Sequence, residues 1–234
     1  MSMGMTRRQW LERTSIILGS TALGSFLAER QVSALPVEKD FRSPIRMLFN
    51  ENPYGPSELA RKAMIEAFDE ANLYSFSEGA PDELRAIIGQ QVGLTPDHIL
   101  IGSGSTEILR AAALLTGLEG GEVISPYPTF DAMIRYAETI GVKVHRVPLK
   151  DDFHFDLEAI KEKATKKVKL LYLCNPNNPT GLITPYDKLR PFCEEIAKEM
   201  LVFVDEAYYE YVSDPQYRSM VELVGEGHNI IVSR

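Results

Sequence analysis

Cysteine is almost missing from this chain of 234 residues: there are two, Cys174 and Cys193. One falls in a strand-like stretch and the other in a helical one, with no metal-ligand spacing, so neither a disulfide framework nor a structural metal site is expected. Both read as small buried hydrophobes. An excess of basic charge is also lacking. The net charge is −8, and losing the four Arg and two Glu of the first 34 residues takes it to −10, which argues against nucleic acid as a partner. The apolar run near the amino terminus falls short of the roughly 20 residues that a spanning helix needs, so no stable membrane span is expected once it is removed. Internal repeats and low-complexity segments are absent as well. What remains, at 44% hydrophobic residues, is a chain able to bury a core of its own.

Thr6-Arg7-Arg8-Gln9-Trp10-Leu11-Glu12 leads into a diluted apolar run over residues 16–28, and Val32-Ser33-Ala34 then precedes Leu35-Pro36. This looks like a twin-arginine export signal with a small-x-small cleavage site. Residues 1–34 are therefore expected to be a signal peptide and the mature chain periplasmic, or cytoplasmic if the signal is not used.

An extended arm is expected over residues 40–47, then a polar loop, Asn50-Glu51-Asn52-Pro53-Tyr54-Gly55-Pro56, with Ser57 as the cap of a helix over 58–71. A second helix starts near Pro81 and stops at Gly93. From there strands and helices alternate. Strands are expected at 99–101, 123, 142, 168, 201–204 and 229–232. Helices fill 105–115, 129–140 and 156–164, then a stretch from a Thr184-Pro185 cap to Met200 and a short one near Met220. Such alternation implies βαβ units: an α/β fold with a mostly parallel sheet flanked by helices.

Four stretches at strand ends carry chemistry. Asn175-Pro176-Asn177-Asn178-Pro179-Thr180-Gly181 follows an apolar run; its prolines fix φ while its amides offer both donors and acceptors, so the loop can hold one amide steadily toward a ligand. Gly102-Ser103-Gly104-Ser105-Thr106-Glu107 opens a helix with exposed amide donors facing the positive end of its dipole, an arrangement suited to an anion. It lacks the Gly-Lys-Ser/Thr ending of a P-loop. Ser125-Pro126-Tyr127-Pro128-Thr129-Phe130 delivers an aromatic ring against which a flat heteroaromatic ligand could stack, although an aromatic after a strand also serves as core. Asp205 ends a buried strand ahead of Glu206-Ala207-Tyr208, where a carboxylate is costly without a cationic partner; an N-cap is the plainer alternative.

Together these motifs resemble the fold-type I pyridoxal-phosphate aminotransferases of class I/II, and the early Asn-Pro-Tyr loop is similar to that of the histidinol-phosphate aminotransferase family. The resemblance covers about 47–234. It implies pyridoxal 5′-phosphate as cofactor, an amino acid or amine and a 2-oxo acid as substrates, and a homodimer with shared sites. By the same resemblance Ser105 and Thr106 hold the cofactor phosphate, Phe130 (or Tyr127) lies against the ring, and Asp205 meets the ring nitrogen. Asn178 and Tyr208 then reach the ring hydroxyl, Asn52 and Tyr54 line the substrate pocket, and Tyr74 reaches the phosphate of the neighbouring subunit. Residues 35–75 become an amino-terminal arm and first helix, and 76–234 the cofactor-binding large domain.

One part of the pattern breaks. In the resembled family the strand matching Asn229-Ile230-Ile231-Val232-Ser233-Arg234 runs into a Ser/Thr-x-Ser-Lys segment whose lysine forms the Schiff base, whereas this sequence stops at Arg234. The large domain is thus expected to be truncated at its carboxyl end, with no catalytic lysine. Two readings follow: part of a transaminase, or a non-catalytic truncated pyridoxal-binding protein. A decarboxylase or lyase of the same fold is a further alternative within the enzyme class.

Overall fold

The structure, a computed structural model, describes residues 48–70 and 80–234. The export signal over 1–34, the arm expected over 40–47 and Tyr74 lie outside them. The chain divides into two compact units, Met1–Leu73 and Tyr74–Arg234.

In the first unit, Asn52 folds its own loop: its Oδ1 accepts from the Tyr54 amide at 3.0 Å and its Nδ2 donates to the Gly55 carbonyl at 3.2 Å. This is the Asx turn that a proline-flanked Asn favours. Helix α1, Glu58–Glu66, follows with Ser57 as N-cap, its hydroxyl accepting from the Ala60 amide. The helix ends earlier than the expected 71, tightening into a 3₁₀ turn over Ala67–Glu70.

Among the described residues of the second unit α2, Ala80–Val92, comes first, and Gly93 terminates it at φ +75°. Arg85 then ties α2 to the 3₁₀ turn Pro96–His98 by donating twice to the Pro96 carbonyl. The alternating part comprises α3 (Ser105–Leu118), β1 (Glu122–Tyr127), α4 (Ala132–Thr139), β2 (Val144–Pro148), α5 (Leu157–Lys163), β3 (Val168–Cys174), α6 (Tyr186–Ile196), β4 (Leu201–Asp205), α7 (Val221–Gly225) and β5 (Ile230–Ser233). All five strands are parallel, in the order β2-β1-β3-β4-β5.

Period-two alternation sorts the strand residues between two cores. Leu170, Tyr172, Cys174 and Phe203 face α3 and α4, packed with Leu109, Ala113 and Met133. Leu171, Leu173, Val202 and Val204 face α5, α6 and α7, packed with Ile160, Leu189, Phe192 and Leu223. Burial of each large side chain is worth about 1.5–3 kcal/mol, against about 0–1 kcal/mol for a surface ion pair such as Lys161–Glu195, so these two layers hold the unit together. Both cysteines are buried and free, as their apolar settings suggest.

Three expectations need correction. Residues 99–101 do not form a strand; Leu100 is 75% exposed. Among the described residues no strand lies beside that segment, and an apolar triplet without a ladder partner gains nothing from extending. Thr184 does not cap α6. Pro185 is the N-cap, and the Thr184 amide instead donates to Asn175 Oδ1 at 2.7 Å. Helix α4 starts at Ala132 rather than 129, because Thr129 is committed to a side-chain bond with Asn177.

Candidate functional site

In an open parallel sheet, ligands bind beyond the carboxyl ends of the strands, where the strand order reverses. Here the chain passes from β1 outward to β2 and then back across to β3, so the reversal lies between β1 and β3. These strands pair only as far as Ile124↔Leu171, although they run on to Tyr127 and Cys174. Pro126, without an amide hydrogen, could not have continued that ladder. The strands part there and leave a crevice. Helix α3 ends at Leu118, four residues before β1 begins, which puts its amino terminus, with Ser105 and Thr106, at the same carboxyl end of the sheet.

A buried hydrogen-bond bridge spans the crevice. Thr129 Oγ1 donates to Asn177 Oδ1 at 2.7 Å, and Asn177 Nδ2 donates to the Pro128 carbonyl at 3.2 Å and to Thr180 Oγ1 at 3.1 Å. Asn175 is equally committed, to both the amide and the carbonyl of Thr184. Asn178 turns its amide toward the segment after β4, donating to Tyr208 Oη at 3.4 Å. That is a long bond, so amide and hydroxyl sacrifice little in turning to a ligand oxygen. Asn177→Ala should cost about 1–3 kcal/mol, since three bonds vanish and the buried Thr129 hydroxyl loses its acceptor. Denaturant unfolding would measure it; a midpoint equal to that of wild type would show the bridge to be idle.

Asp205 closes β4 at 1% exposure. The register sets Cys174 and Ser233 on either side of it. Its Oδ1 accepts from Ser233 Oγ at 3.0 Å and the Ala207 amide at 3.3 Å, and its Oδ2 from Tyr172 Oη at 3.2 Å. All three donors are neutral. Burial raises the carboxyl pKa above its ordinary value, with the bonds from Ser233, Tyr172 and Ala207 opposing the rise. The carboxylate is thus desolvated, oriented and short of a cation, which is the donor set a protonated pyridine nitrogen would complete. Next to it, burial pushes the Cys174 thiol up to about 12, with the amides of Asn178 and Phe130 directed at its sulfur. Phe130 itself is half-buried against the α3–α4 core.

The structure therefore gathers Phe130, Asn178, Asp205 and Tyr208 around the ends of β1, β3 and β4, and places Ser105 and Thr106, both half-buried, at the same end of the sheet. No side chain caps α3, whose N-cap is Gly104 at φ +77°; Glu107 Oε2 accepts from the Ser103 amide at 2.6 Å. Asn52 and Tyr54 belong to the other unit, and Tyr74 lies outside the described residues.

Sequence reasoning missed Tyr172, Ser233, Asn177 and Glu206. A tyrosine within a buried strand signals that its hydroxyl must find a partner. Which partner depends on strand register. Glu206 is 1% exposed on the opposite side of the sheet from Asp205; it accepts from Ser219 Oγ at 2.6 Å, the Met220 amide at 2.8 Å and Arg234 Nε at 3.3 Å.

Comparison with known proteins gives the family and the fold. The family model "aminotransferase class I and II" matches residues 43–234. The chain is 31% identical over 217 residues to a histidinol-phosphate aminotransferase of Limosilactobacillus fermentum, covering 92% of this chain and 60% of that protein. A provisionally assigned histidinol-phosphate aminotransferase structure from Erwinia carotovora atroseptica superposes with a TM-score of 0.75 at 35% identity, over 81% of this chain and 55% of that one. The histidinol-phosphate aminotransferase of Sinorhizobium meliloti in complex with pyridoxal-5′-phosphate superposes with a TM-score of 0.61 at 25% identity, over 69% and 44%. The chain thus spans about half the length of the relatives it matches. With the family model covering most of its residues, this chain belongs to the class I and II aminotransferase family.

Proposed function

We propose that this chain is the cofactor-holding part of a pyridoxal-phosphate-dependent aminotransferase of the histidinol-phosphate aminotransferase kind, and that the whole protein moves an amino group between an amino acid or amine and a 2-oxo acid. The observation that carries the proposal is Asp205, a buried carboxylate with three neutral donors at the sheet's ligand-binding end. Ser105, Thr106 and the first amides of α3 would hold the phosphate, using the helix dipole. Phe130 would cover one face of the ring, Asn178 and Tyr208 would bind its hydroxyl, and Asp205 would keep its nitrogen charged. Bound there, pyridoxal phosphate supplies an electron sink for charge developing at the substrate's α carbon. Asn52 and Tyr54 are proposed as substrate contacts and Tyr74 as a contact to the phosphate of a second copy, which makes the assembly a homodimer. Export rests on the Arg7-Arg8 segment; sequencing the mature amino terminus from fractionated cells tests it, and a cytosolic chain retaining that segment would exclude it.

Binding of pyridoxamine 5′-phosphate tests the cofactor assignment without interference from surface lysines. Saturation at one site per chain is expected, with pyridoxamine lacking the phosphate binding far more weakly. Thr106→Val combined with Ser105→Ala should lose about tenfold to a hundredfold, as expected for hydrogen bonds to a charged group. Equal binding of the phosphorylated and unphosphorylated forms would overturn the assignment of α3.

A further inference from the structure

A carboxylate offers about four acceptor positions, two per oxygen. On Asp205 they are unequally used: Oδ1 takes both Ser233 and the Ala207 amide, whereas Oδ2 takes Tyr172 alone. We infer that Oδ2 is the oxygen that receives the ring nitrogen's N–H, and that Tyr172 is a positioning residue whose hydroxyl, with that of Ser233, keeps the shared proton on the ring rather than on the carboxylate. The inference rests on the cofactor assignment above. It follows from where the donors stand. Each hydrogen bond to a carboxylate favours its charged form, so donors on Asp205 bias the proton toward the nitrogen. Within the complex one proton is shared and the donors decide its place between nitrogen and oxygen; at a pH where the free ring nitrogen is neutral, that proton is taken up from solvent on binding.

Three features fit Tyr172 to this role. Its side chain is fully buried, its ring packs against Phe203 with centroids 6.2 Å apart, and it lies two residues before Cys174, the register partner of Asp205. The hydroxyl is therefore fixed beside Oδ2. Burial also raises its pKa, so it stays a donor. Cys174, the other titratable group facing Asp205, is held neutral in the same way.

The test uses pyridoxamine 5′-phosphate labelled with ¹⁵N in the ring and bound to the chain, at a pH where the free ring nitrogen has lost its proton. The nitrogen resonance then reports where the proton sits. Wild type is expected near the protonated limit. Tyr172→Phe, which keeps the packing against Phe203, should move the resonance toward the neutral limit and weaken binding about tenfold to a hundredfold. Ser233→Ala reaches the same carboxylate from β5 and should move it the same way. A variant saturated with ligand and showing an unshifted resonance overturns the inference and leaves the cofactor assignment standing. So does a wild-type complex with a neutral nitrogen. Absence of saturable binding to wild type would overturn both.

Discussion

Asp205→Asn is expected to have opposite effects on ligand binding and on stability. Binding of pyridoxamine 5′-phosphate should weaken by about 2–5 kcal/mol, a hundredfold or more, because a buried charged partner of the ring nitrogen is replaced by a neutral amide. The ligand-free chain should become more stable, by about 1 kcal/mol, or roughly 2–4 °C in Tm. The second effect follows from linkage. The folded state raises the Asp205 pKa above its ordinary 3.8, so the folded chain binds more protons than the unfolded one as pH rises through that interval. Stability attributable to Asp205 is therefore fully present below the unfolded pKa and is lost as pH climbs through the folded one. The advantage of the Asn variant should vanish in acid and grow toward neutral pH. Thermal unfolding at several pH values checks the sign, and an Asn variant less stable than wild type at pH 7 would refute it. A site that costs stability when empty and recovers it on binding is what a preorganised cofactor pocket requires.

Glu206→Ala should produce the largest loss of stability, about 3–5 kcal/mol, a fall in Tm on the order of 10 °C. The substitution strands Ser219 Oγ, the Met220 amide and Arg234 Nε around a vacated position. Glu206→Gln separates geometry from charge. It keeps the shape but only one acceptor oxygen, so its NH2 must face either the Met220 amide or Arg234 Nε, neither of which accepts. Removal of an ionised group whose pKa burial raises despite Arg234 offsets part of that, and its cost should fall well below that of Ala. Equal losses for the two variants would assign the effect to charge and contradict this account. Arg234 is itself held in place, with its guanidinium 3.7 Å from the centroid of the Tyr209 ring. The network thus joins the end of β5 to the turn after β4. It steadies the ends of the sheet's last two strands, where Asp205 pairs with Ser233.

Adjacent residues Asp205 and Glu206 show why one carboxylate was legible and the other was not. Both follow the same apolar strand, and both are buried. Asp205 ends the strand itself, where a buried carboxylate is costly without a partner, so its position singles it out. Glu206 depends on Ser219, Met220 and Arg234, brought close only by the α7 and β5 returns, and no local pattern announces that meeting. The helix expected from 129 failed for the same reason: propensity favoured starting there, and a contact 48 residues away, from Thr129 to Asn177, decided otherwise. Residues 99–101 were misread because a short apolar run looks like a strand whether or not a neighbour exists to pair with it.

By itself, the sequence determined the alternation of strands and helices, the parallel sheet, and the side chains that bear charge or aromatic surface at strand ends, because periodicity and turn chemistry are local. The tertiary structure decided which of them act together. Strand register put Tyr172 and Ser233 on Asp205, and the parting of β1 from β3 opened the crevice. The cross-loop bond from Thr129 committed Asn177 to structure and left Asn178 to face Tyr208. Those choices rest on contacts between residues far apart in the chain, whose geometry exists only once the sheet has formed.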